Sequence, residues 1–128
     1  SGKQKKFAEE RLGWSIFKNA EYLEEQGDYF TAATEYQRVY KEAPSDKKIV
    51  ETALFNSGFN FQRAKDWVRA IGVLDTLVTH YPKSKFAVSA LQKIADDYNE
   101  LEQYTNAAKT YERLYKNYPK ADNADVAL

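Results

Sequence analysis

The chain has 128 residues, enough for one domain with its own core, although an elongated array of this length would bury that core as a thin layer. Nineteen basic against nineteen acidic residues leave no net charge, which disfavours a broad nucleic-acid footprint or strong attraction to an anionic membrane. Without cysteine there is no disulfide framework, thiol nucleophile or thiolate metal site, and apolar runs such as Ala70 to Leu74 are too short to span a bilayer.

There is no methionine either, so we expect an excised piece of a longer protein, with Ser1 and Gly2 a cloning remnant. Any export signal or lipid anchor would then lie outside it. The locally basic Lys3–Lys6 reads as a solvated helix start.

Three prolines sit in matching surroundings, at the ends of VYKEAP (Pro44), VTHYP (Pro82) and YKNYP (Pro119), with steps of 38 and 37 residues. Counting back from each without gaps gives columns of constant size class. Ala32, Ala70 and Ala107 form one, and Tyr36, Leu74 and Tyr111 a second. Tyr29, Trp67 and Tyr104 follow, then Leu23, Phe61 and Tyr98, then Ala20, Gly58 and Ala95.

In chain order, the pattern predicts α1 at about residues 6–26, α2 at 29–42, α3 at 47–64, α4 at 67–80, α5 at 85–101 and α6 at 104–117. Tyr104, Ala107, Ala108, Tyr111, Leu114 and Tyr115 recur at amphipathic-helix spacing, as do their counterparts in α2 and α4. Asp28 and Asp66 are expected to cap α2 and α4; Ser45 or Asp46, Ser84 and Asp122 are expected to cap the helices that follow each proline. One stretch, Glu51–Arg63 (ETALFNSGFNFQR), also carries a hairpin signal in its Ser57-Gly58 centre. The repeat register rejects that reading: Gly58 stands in a small-residue column, explained by close approach of α3 to α4. The final residues, Pro119 to Leu128, align without gaps to Pro82–Leu91, so the chain is expected to stop inside the first helix of a fourth unit.

This pattern resembles the tetratricopeptide repeat, in which paired helices carry small residues where they cross and a proline follows the second. The resemblance covers roughly residues 13 to 128. It implies an all-α, right-handed superhelix of antiparallel helix pairs, a single solenoid with repeats at about 6–44, 45–82 and 83–119 and a truncated fourth from 120. The steps exceed the family's period of about 34 residues, and the extra length after each proline suggests first helices prolonged at their N-terminal ends. His80–Leu91 (HYPKSKFAVSAL) is further similar to the Tyr-Pro-x-Ser-x-x-Ala linkers of Gram-negative envelope proteins, notably outer-membrane assembly lipoproteins and the coordinator of the Tol-Pal system. That likeness implies a periplasmic or outer-membrane-associated scaffold, the cytoplasm being the alternative.

No catalytic constellation is legible. His80 is the single histidine, so metal clusters and His-dependent triads lack parts. Acidic neighbours such as Asp96-Asp97 and Glu24-Glu25 diverge by about 100° on a helix and are read as a solvated face. The five glycines are scattered, which excludes a phosphate loop. Of the ten tyrosines, eight (Tyr29, Tyr36, Tyr40, Tyr98, Tyr104, Tyr111, Tyr115 and Tyr118) fill repeat positions, so core and inter-repeat contacts explain them better than base stacking. We expect no enzyme, no cofactor, no metal and no nucleic-acid partner.

The resemblance implies that the first helix of each pair lines a concave groove. Positions off the buried columns then face it, among them Trp14, Phe17, Lys18, Glu21, Glu24 and Glu25 on α1, and Thr52, Phe55, Asn56, Phe59, Gln62 and Arg63 on α3. On α5 they are Ser89, Gln92, Lys93, Asp96, Asn99 and Glu100. Trp14, Phe17, Phe55 and Phe59 would form a hydrophobic slot for a partner's helix or peptide, flanked by Lys18, Asn56, Gln62, Arg63, Gln92 and Lys93. The competing reading folds residues 6–12 and the prolonged first helices over these rings as core. The family's clamp for chaperone-tail carboxylates is disfavoured: only Asn56 and Lys93 match it, and Glu21 would repel a carboxylate. The leading function is therefore a protein-binding scaffold; the alternatives are an accessory array of a multidomain enzyme or self-association through the C-terminal edge.

Overall fold

The computed structural model of the protein describes residues 1–120. Among the described residues six helices follow one another: α1 (Gly2–Glu25), α2 (Tyr29–Glu42), α3 (Lys47–Arg63), α4 (Trp67–His80), α5 (Ala87–Glu100) and α6 (Tyr104–Asn117). The chain is all-α among the described residues, and Glu51–Arg63 is helix, not hairpin. The expected fourth unit and its Asp122 cap lie outside them.

Local chemistry explains the boundaries. The carboxylates of Asp28, Asp46 and Asp66 accept from the backbone N–H of Thr31, Ile49 and Arg69, at 3.3, 3.4 and 3.1 Å, capping α2, α3 and α4. Ala43, Tyr81 and Tyr118 leave the helical region at φ −140°, −131° and −132°, as residues before proline must. Between the two helices of each unit, Gly27, Lys65 and Glu102 adopt left-handed φ of 81°, 61° and 59°. Bonds from Asp28 N to Leu23 O, Asp66 N to Phe61 O and Gln103 N to Tyr98 O close three equivalent Schellman turns.

Two boundaries differ from expectation. α1 begins at Gly2, because Ser1 and Gln4 form a reciprocal capping box. α5 begins at Ala87 without a side-chain cap: the Ser84 hydroxyl accepts from Phe86 N–H at 3.1 Å, and the Ser84 carbonyl accepts from Ala87 N–H at 3.0 Å. The extra residues of this unit therefore form a turn and do not prolong α5.

Each helix packs on its neighbours in sequence, and α1 also meets α3 as α3 meets α5, whereas contacts within the series α2, α4, α6 are sparser. The layer of α1, α3 and α5 is thus the more closely spaced and lies on the inside of the curve. The wider outer layer is bridged by long side chains, as where Arg113 meets Asp75 at 2.6 Å and the Tyr118 hydroxyl donates to the Pro82 carbonyl at 2.6 Å.

The buried columns are Ala20, Gly58 and Ala95 on one layer, and Ala32, Ala70 and Ala107 on the other. A Cβ on Gly58 would stand 2.3 Å from Leu74 Cδ2, so only glycine admits this approach of α3 to α4. Phe61, Tyr36 and Leu74 are buried with them.

Two readings need correction. Tyr104 and Tyr115 are 63% and 67% exposed and Tyr111 is exposed as well, so these three do not fill the core. Asp97 is fully buried, not part of a solvated face. The same 100° divergence that separates it from exposed Asp96 turns it into the seam between α5 and α3. It stands 22 residues before Pro119, as buried Asn60 stands 22 before Pro82.

Candidate functional site

The inner layer divides into two zones along its helices. In the C-terminal zone the side chains are engaged with one another. Gln62 Nε2 donates to Asp97 Oδ1 at 2.5 Å and to the Lys93 carbonyl at 3.3 Å, joining α3 to α5. Arg63 pairs with Glu24 at 3.2 Å, joining α3 to α1. Glu24 also accepts from the buried Tyr36 hydroxyl at 2.6 Å. Burial, then that carboxylate, push the Tyr36 phenol well above its ordinary range. Phe59 lies between two cations, Arg63 at 4.2 Å and Lys93 Nζ at 4.5 Å from the ring centroid. Asn56 and Gln92 are half-buried beside them.

Asp97 is the electrostatic anomaly of this zone. Its Oδ2 finds no hydrogen-bond partner, and burial raises the carboxyl from 3.8 to about 7 against the opposing hydrogen bond from Gln62. Asp96 and Glu100 push it further up, and Lys93 draws it down.

The N-terminal zone is open. Trp14 is 54% exposed, and Phe17, half-buried, meets Tyr36 edge-on at 5.2 Å. Lys18 pairs with Glu21 at 2.8 Å and stands 5.9 Å from the Trp14 ring. Together with Lys48, Ile49 and Thr52 these residues line a cavity of about 340 Å³ between α1 and α3. A second cavity of about 450 Å³ lies between α3 and the turn before α5, lined by Lys48, Glu51, Thr52, Lys83, Ser84, Lys85 and Phe86. Sharing Lys48 and Thr52, the two form one trough. Phe55 lines neither cavity; half-buried, it stacks on Phe86 at 4.8 Å with the rings 16° from parallel.

Of the ten residues singled out from the sequence, the structure gathers Trp14, Phe17 and Lys18 on the open trough. It places Phe55, Asn56, Phe59, Gln62, Arg63, Gln92 and Lys93 in the more occluded zone or its margin. Residues 6–12 do not form core over the rings: Glu9 and Glu10 are half-buried and the others exposed, Phe7 and Leu12 among them. Sequence reasoning missed Lys48 and Ile49, which it placed in the first turn of α3, Lys85 and Phe86, which it placed at the start of α5, and Lys83 between the helices. The available signal was register, since Lys48 and Lys85 each stand 34 residues before the proline of their unit.

Among the described residues no group of three or more His, Cys, Asp or Glu is placed to hold a metal ion, and no described helix is long and apolar enough to cross a membrane. A curved stack of helix pairs with an open trough on its inner layer defines a helical-repeat interaction module. The profile of the tetratricopeptide repeat matches residues 11–46, 52–84 and 89–121, and the chain belongs to that family. Repeats of this family generally serve protein interaction. No curated protein matches the chain.

Proposed function

We propose that the protein is a non-enzymatic scaffold that binds a peptide or helix of a partner protein in the trough on its inner layer. The observation that carries this is Trp14: an indole more than half exposed, beside half-buried Phe17 and Ile49, is costly on a surface with no partner. A displayed library of random 12-residue peptides, selected on the whole chain, tests it. Selected peptides should lose at least about tenfold in affinity for Trp14→Ala, while the melting curve stays unchanged because the ring stabilises little where it stands. A library that yields no binder sensitive to Trp14→Ala would remove the proposal.

Self-association is a second reading, favoured by the exposed Tyr104, Tyr111 and Tyr115 on one face of α6. Sedimentation over a concentration series checks it, and a strictly monomeric chain would exclude it. We also propose an envelope location, on the likeness of His80–Leu91 to envelope linkers alone; fractionation of cells producing the intact protein decides it.

A further inference from the structure

We infer that the trough selects an acidic peptide segment: one large apolar anchor followed or preceded by two carboxylates about three residues apart. This rests on the trough being a peptide site and adds the chemistry of its occupant. Lys48, Lys83 and Lys85 surround the 450 Å³ cavity with Glu51 as the single opposing acid. None of the three lysines has a carboxylate within ion-pairing distance among the described residues, whereas Lys18, Arg63 and Arg113 are all paired. Lys85 lies 5.2 Å from the Phe86 ring, so its ammonium is held at the cavity's edge over an apolar floor.

The opposite end of the same layer carries Glu24, Glu25, Asp96 and Glu100, its cations Arg63 and Lys93 being engaged by Glu24 and the Phe59 ring. Glu21, in the 340 Å³ cavity, is paired with Lys18. A chain of zero net charge thus presents an inner face that is basic at the helix N-termini and acidic at the C-termini. An acidic segment is drawn to the first zone and repelled from the second, which fixes the height at which it crosses the helices. Lys48, on α3, and Lys85, in the turn before α5, border the same 450 Å³ cavity, which is roughly 10 Å across. An extended peptide advances about 3.3 Å per residue, so carboxylates three apart reach both ammoniums. The neighbouring 340 Å³ cavity between Trp14, Phe17 and Ile49 takes the anchor, with Lys48 standing between anchor and acids. These lysines are distinct from Asn56 and Lys93, which lie further along the helices.

The test uses the 12-residue library on the whole chain, followed by fluorescence-polarisation titration of synthetic winners and their Glu→Gln, Asp→Asn counterparts. Winners should be enriched in paired Asp or Glu beside Trp, Phe or Leu. Their affinity should fall about tenfold for Lys48→Gln/Lys85→Gln, and by a similar factor between 50 and 500 mM salt, as exposed ion pairs are screened. The amide counterparts should ignore the lysine substitutions. Winners that are apolar, without an excess of acids and indifferent to the lysines, overturn this inference and leave the peptide site standing. Binders insensitive to Trp14→Ala overturn both. Lysine-dependent binding to phosphatidylglycerol vesicles, with no acidic enrichment among peptides, would assign the patch to a lipid surface and also overturn it.

Discussion

Replacing Asp97 by Asn should make the protein more stable at pH 8 and leave it unchanged at pH 4. The carboxyl is fully buried in the seam between α3 and α5, one oxygen accepting from Gln62 and the other unpartnered. Burial lifts it from 3.8 to about 7, so between those values the folded chain holds a proton that the unfolded chain has released. A raised folded value means the stabilisation is complete below about pH 4 and is lost as pH rises through 7. Three units at about 1.4 kcal/mol each set an upper bound near 4 kcal/mol; local relaxation and water entry bring the expectation to roughly 2–4 kcal/mol. Asparagine keeps the acceptor for Gln62, abolishes the titration and reproduces the Asn60 of the preceding unit. Urea unfolding of both proteins followed by circular dichroism from pH 4.5 to 8.5 isolates the effect, because the surface carboxylates are common to both and cancel in the difference. A difference that stays flat across this range would refute the assignment of a buried, protonated Asp97.

Gly58→Ala should destabilise by about 1–3 kcal/mol, since the new methyl meets the buried Leu74 side chain at 2.3 Å; Gly72→Ala, exposed in α4 with open space around its Cβ position, should stabilise by about 0.5–1 kcal/mol through helix propensity alone. Thermal melts of the two distinguish contact from propensity. Glu102→Gly should raise stability by roughly 1 kcal/mol, as the side chain is removed from a residue at φ 59° in a Schellman turn that Gly27 already serves as glycine. Phe55→Ala should cost about 2 kcal/mol in denaturant unfolding, the share of a phenylalanine half withdrawn from water and stacked on Phe86.

The helices were legible because the register of three prolines averaged away local ambiguity: Gly58, read alone, suggested a turn, while read beside Ala20 and Ala95 it marked a helix crossing. Element ends were legible where a side chain decided them, at Asp28, Asp46 and Asp66. They were missed where backbone geometry decided them, as at Ser84, whose hydroxyl closes a turn and not a helix. The groove was legible as a set of helix faces, but periodicity assigns a residue to a face without saying what lies opposite. Phe55 and Phe59 had the spacing of open contacts; stacking by Phe86 and the cations of Arg63 and Lys93 is tertiary and has no local signature. Lys48 and Lys85 were hidden for the opposite reason, since their significance depends on the cavity that the turn before α5 builds between them.

The division of the inner layer follows from its curvature. Because α1, α3 and α5 approach one another more closely than the outer helices do, polar side chains in their C-terminal halves are within reach of the next unit and are spent on it, Gln62 on Asp97 and Arg63 on Glu24. A side chain that fastens two repeats cannot also be offered to a partner without loosening the array. Gln62→Ala should therefore act on stability, costing about 2 kcal/mol by leaving the buried Asp97 without its donor. Its effect on affinity for a trough-binding peptide should stay within about threefold, whereas Trp14→Ala should do the reverse. Urea unfolding and peptide titration on the same two variants separate the roles. Should Gln62→Ala leave unfolding unchanged and cut affinity tenfold, the C-terminal zone is itself a contact surface, and the boundary drawn between fastening and binding residues is wrong.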